Sequence, residues 1–202
     1  MQITGAACLG NLLVGIGKLM MGIISLSFFT CVSAFYTFGM VLAKACVLRG
    51  MAEKNIAERQ YRYYRLSGII LIIASVLYVV YSTRLLWHPM AGRYSKYTGI
   101  GIAAFAFTEL GLNIRGVIVE RNNHNQLFHA VKMINLASSL ICLVLTQTAI
   151  LSFTHEHVPD YDPSMSNGLM GILMGTAAAL IGCIMLRRVR KIREALEMEE
   201  RK

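Results

Sequence analysis

Apolar residues run along this chain in long blocks broken by short charged stretches. A membrane-crossing helix needs about 20 mainly apolar residues, because the hydrocarbon core is about 30 Å thick. From Gly5 to Leu48 there are 44 residues and only two charges, Lys18 and Lys44. As one helix this block would reach about 66 Å, twice the membrane. It is therefore expected to fold as a tight hairpin turning around Leu26 to Cys31, giving spans over 9–27 and 32–48. The later blocks predict spans over 66–86, 97–118, 133–153 and 167–186. Trp87 and Pro89 suit an interfacial aromatic and a helix stop after the third. The expected fold is an all-α membrane protein with six transmembrane helices in one domain over 1–190 and no soluble domain. A charged tail over 191–202 is expected to prolong the last helix.

Composition agrees with this pattern. Hydrophobic residues make up 55% and charged residues 15%, against about 25% charged in a soluble domain. The start of the chain lacks the basic region of a secretory signal, so none is expected. The five cysteines, Cys8, Cys31, Cys46, Cys142 and Cys183, have no C-x-x-C spacing and are read as small buried apolar residues.

The net charge of +9 is explained by its placement. Sixteen Lys and Arg fall in or beside the 49–65 and 115–132 connections and the tail, with Lys44 counted among them. Arg84, Arg93 and Lys96 are the three on the opposite side. Basic connections stay in the cytoplasm, so both termini are expected there, in a cell-membrane protein. The lipid bilayer is then the partner of the basic charge, no nucleic acid is required, and a homodimer is compatible with the sequence.

Two charges lie well inside predicted spans, Lys18 in the first and Glu109 in the fourth. Such charges are costly, so they face protein or water and pair. Their depths match, which predicts a contact between the first and fourth spans. The pair reads as a proton or cation relay, as a structural ion pair, or as a lysine that snorkels along its stem. Asn113, one turn after Glu109, falls on the same helix face. A connection on the outer side carries His155, His157, Asp160 and Asp162, a ligand set that suits zinc weakly and otherwise reads as a solvated acidic loop. No P-loop, G-x-S-x-G or H-E-x-x-H is present; no enzyme activity and no cofactor are expected. The small residues Gly168, Gly171, Gly175, Ala178 and Gly182 form a stripe for close helix packing.

The stretch Asn11-Leu-Leu-Val-Gly-Ile-Gly-Lys18-Leu-Met-Met-Gly22 resembles the first span of the cation diffusion facilitator family. Asn135-Leu-Ala-Ser-Ser139 is similar to that family's Asp-Ala-Leu-Ser-Ser stretch in span five, and the Gly-rich sixth span closing on Leu-Arg-Arg is similar too. The resemblance covers 9–49 and 127–190 and implies a six-span transporter scaffold. It also implies a departure. The family holds its metal with four Asp or His side chains, and the corresponding positions here are Ser33, Thr37, Val131 and Asn135, which carry no charge. The family's C-terminal domain is not expected either. Two functions follow: a small cation or proton-coupled transporter lacking the usual metal ligands, or a non-transporting scaffold, partner subunit or assembly factor.

The charge asymmetry makes the orientation testable. A single cysteine at position 160 is expected to react with an impermeant maleimide in intact cells; reaction only after lysis would reverse the orientation.

Overall fold

The computed structural model describes residues 2–24, 28–52, 57–88, 96–119, 126–154 and 163–199. Among them the chain is all-helical, with α1 (Gln2–Ile24), α2 (Phe28–Ala52), α3 (Ala57–Trp87), α4 (Lys96–Val119), α5 (Gln126–Thr154) and α6 (Ser164–Glu199). Five of these, α2 to α6, contain a stretch long and apolar enough to cross a membrane; the apolar stretch of α1 is the shorter Cys8–Ile24.

The helices run past the predicted spans. α2 begins at Phe28, four residues before the expected start, so the first connection is confined to 25–27. α3 begins at Ala57 and includes Arg59, Arg62 and Arg65 of the basic 49–65 connection. Intrahelical hydrogen bonds continue wherever no proline or glycine stops them, so a helix outruns its apolar segment. For the same reason α6 extends through the charged tail to Glu199. α3 ends at Trp87, with the His88 amide donating to the Arg84 carbonyl; Pro89 lies outside the described residues.

Helices α1, α2, α5 and α4 form a ring in which neighbours pack in that order and α4 closes on α1. α3 and α6 pack closely on each other, against α2 and α5 respectively. The small-residue stripe makes the α3–α6 seam. A Cβ on Gly175 would lie 2.6 Å from Val79, and one on Gly182 would lie 2.6 Å from Ile72 and 3.3 Å from the Gly68 carbonyl oxygen. Gly68 in turn meets Leu186 and Gly168 meets Leu86, so the two helices run antiparallel. Exposed arginines from α2 (Arg49), α3 (Arg62, Arg65) and α6 (Arg187, Arg188) therefore mark one end of the bundle, its basic end.

Polarity is inverted relative to a water-soluble fold. Leu9, Leu13, Ile16 and Met20 of α1, Ile73, Leu77 and Val80 of α3, and Leu169, Leu173 and Leu180 of α6 are exposed. Lys18, Lys44, Glu109, Asn11, Asn113 and Asn135 are buried. Water would penalise that outer surface, whereas lipid would not. This arrangement is the one a multi-pass membrane protein adopts.

The cysteine expectation is corrected in part. Cys142 is buried, Cys8, Cys31 and Cys46 are half-buried, and Cys183 is exposed on α6. A thiol is apolar enough to sit on an apolar outer face, so an apolar sequence context does not distinguish inside from outside.

Gly182→Leu is expected to destabilise the purified protein by about 1–3 kcal/mol, the usual cost of overpacking. Gly111, around which nothing lies within 4 Å, should tolerate Gly111→Leu. Thermal unfolding of both variants in detergent measures the difference.

Candidate functional site

Glycines bring the ring helices close enough for a polar centre to form. A Cβ on Gly17 would lie 2.6 Å from the Phe105 ring, and one on Gly15 would lie 3.3 Å from the Thr37 methyl. Bare backbone at these positions lets α1 approach α4 and α2 together. Lys18, between the two approaches, is thereby aimed into the ring.

There the Lys18 ammonium forms an ion pair with Glu109 Oε2, both side chains being 1% exposed. Lys18 also donates to Thr37 Oγ1 at 3.3 Å. The Thr37 hydroxyl lies 3.1 Å from the Ser33 carbonyl and 3.3 Å from Glu109 Oε1, with one proton for the two acceptors. Ser138 of α5 donates to Glu109 Oε1 at 3.0 Å. Four helices thus meet at one carboxylate. Its partners neutralise and solvate it in place of water, as a buried charge requires.

Asn113 does not join this pair. One turn towards the basic end, its Oδ1 accepts from Asn11 Nδ2 of α1 and from Lys44 Nζ of α2, each at 3.2 Å. Lys44, which lies just before the basic connection in sequence, is 1% exposed. The face Ser33, Thr37, Met40, Lys44 explains why: steps of four, three and four residues keep all of them on the buried stripe of α2. Without Lys44 the basic side keeps fifteen Lys and Arg against three, so the predicted orientation is unaffected.

The four positions singled out through the facilitator resemblance are all buried: Ser33, Thr37, Val131 and Asn135. They divide between different surroundings. Thr37 belongs to the ion pair, Val131 packs into the hydrophobic core, and Asn135 packs against Gly116 of α4. Thr37 is not in neutral surroundings, because Glu109 and Lys18 both reach it. The carboxylate there already has a built-in cation. Among the described residues no three His, Cys, Asp or Glu side chains cluster as a metal site. His155, His157, Asp160 and Asp162 lie outside the described residues. His129, at the start of α5, is paired with the Tyr64 hydroxyl at 3.0 Å.

Ser138 and Lys44 are the members of the centre that sequence reading did not select. Ser138 sits within the 135–139 stretch already singled out, and Lys44 lies seven residues after Thr37, so helical spacing was the available signal. No family model and no curated protein matches this chain.

Removing one partner of the pair leaves a buried unpaired charge, which costs about 3–5 kcal/mol, whereas replacing both is often neutral. Lys18→Met and Glu109→Leu are each expected to lower stability by that amount, and the double variant to recover most of it. Thermal or denaturant unfolding of the four proteins forms the cycle; equal and additive losses would remove the pair as the brace.

Proposed function

We propose that this chain is a six-span cell-membrane protein with cytoplasmic termini that works as a small cation or proton-coupled transporter. The observation that carries the reading is the Lys18–Glu109 pair: a carboxylate and an ammonium held together in an apolar bundle, ringed by hydroxyls from two further helices. A cation or proton that takes Glu109 competes directly with Lys18. When it does, the ammonium is released towards Thr37, and the contacts joining α1, α2, α4 and α5 change together. That coupling of cation occupancy to helix packing is what a transporter needs.

The facilitator-like scaffold belongs to the same proposal. Thr37, one of the positions corresponding to that family's metal ligands, is hydrogen-bonded to the Lys18 ammonium. In this reading a tethered cation takes the place of a transported one. For the sixth span, α1 supplies 23 residues, a length of roughly 34 Å at 1.5 Å per residue.

The non-transporting scaffold is a second reading, and one observation favours it. Both charges are 1% exposed and paired with each other, which suits a permanent brace. Reconstitution separates the two. Liposomes containing the purified protein, loaded with a pH-sensitive dye and given a proton gradient in sodium or potassium salt, are expected to lose the gradient, and those containing Glu109→Gln to keep it. If the unaltered protein dissipates no gradient in either salt, the scaffold reading stands.

A further inference from the structure

Three carboxamides in the ring are buried with polar atoms that have no partner among the described residues: Asn11 Oδ1, Asn113 Nδ2 and both amide atoms of Asn135. Interchange of the amide oxygen and nitrogen does not remove the problem. Lys44 has only donors to offer, so the Asn113 atom facing it is the oxygen, and the nitrogen is left over. Asn135 lacks partners on both atoms, so either orientation leaves it unsatisfied. A buried amide group without a hydrogen bond costs on the order of 1–3 kcal/mol. Asn11 and Asn113 are hydrogen-bonded to each other, and Asn135 packs against Gly116, one turn beyond Asn113 on α4; buried amides grouped in this way are where water binds.

All three lie on the same side of the ion pair. Asn11 precedes Lys18 by two turns on α1. Asn113 follows Glu109 by one turn on α4, with Gly116, the contact of Asn135, one turn further. Asn135 precedes Ser138 by one turn on α5. Given the direction of each helix, every one of these steps leads towards the basic end. On the other side of the pair α4 and α5 carry buried apolar residues, Ile102, Ala106, Ile141 and Leu145. The unpartnered groups there in α2 and α5 that face the ring are the hydroxyls of Ser33 and Thr146; Tyr36 is turned to α3, its ring 5.6 Å from that of Tyr78. A serine or threonine hydroxyl can turn to the carbonyl four residues back, as Ser139 and Thr148 do. A carboxamide has no such escape. Asn167, the other carboxamide with an unpartnered atom, is on α6 and outside the ring.

We propose that Asn11, Asn113 and Asn135 hold water between the Lys18–Glu109 pair and the basic end, and that protons reach Glu109 through it from that end. This rests on the transporter reading for the proton and names the side from which the centre is served; the water site stands on the amides alone. The bound chain of water carries a proton to a Glu109 carboxylate oxygen, and the released Lys18 ammonium is retained by Thr37.

The test is cysteine accessibility in the full-length protein, with the five native cysteines changed to serine or alanine and gel filtration confirming the fold. Asn135→Cys, Asn11→Cys and Leu145→Cys are reconstituted in vesicles and treated with an impermeant cationic methanethiosulfonate from either face. Lys191→Cys identifies the basic face. Asn135→Cys is expected to react from the basic face only, and Leu145→Cys from neither. Asn11→Cys, on a different helix, carries the test if Asn135→Cys does not fold. Any other pattern in folded protein overturns the water path: no reaction, reaction from the opposite face, or equal reaction at Leu145→Cys. A gradient lost through Glu109 with no labelling of the asparagine positions would reject this path and keep the transporter reading; labelling without gradient loss would do the reverse.

Discussion

The cost of removing charge from water governs the centre of this bundle. An ammonium and a carboxylate lose their hydration when they are enclosed, and their mutual attraction repays this only with good geometry and extra hydrogen bonds. Lys18 and Glu109 meet that condition by recruiting Thr37 and Ser138. The donors come from two helices besides those that carry the charges. The ring of α1, α2, α4 and α5 is therefore tied at one point, and the glycines at 15 and 17 are what permit the approach.

The inverted polarity follows from the same cost. In an apolar surrounding, association of helices gains little from burying leucine, because lipid is as apolar as a leucine side chain. Close packing and polar contacts do the work instead. The α3–α6 pair uses the first, with a glycine stripe against Ile72, Val79 and Leu86. The ring uses the second. Two different adhesives thus hold the ring and the α3–α6 pair of one chain.

The helical fold and the central pair were legible because each has a one-dimensional signature. Long apolar blocks require helices, and two isolated charges at matched depth require each other. Helix ends were less legible, since the hydrogen-bond ladder of α3 runs on through Arg59 and Arg65 after the apolar signal stops. Lys44 was legible as a charge near the end of the second span, but it stands beside a basic run, and only the spacing from Ser33 and Thr37 puts it on the buried stripe. Ser138 escaped because serine is common in such helices and only the three-dimensional meeting with Glu109 sets it apart. Sequence context also did not predict which cysteines face inward, because a thiol is accepted on both sides of an apolar helix.

The pair joins residues 91 positions apart, and a chain is made from its N-terminus. At about 5–20 residues per second, Lys18 exists for on the order of 5–20 seconds before its counter-charge is synthesised. On the proposed six-span arrangement, α1 would enter the bilayer bearing an unneutralised ammonium and would be a poor membrane segment until α4 arrives. Thr37, delivered by the very next helix, is the first ring contact available to that ammonium. The short connection between α1 and α2 thus gives the nascent hairpin an interim hydrogen-bonding partner, and biogenesis of this protein becomes a matter of timing between its first and fourth helices.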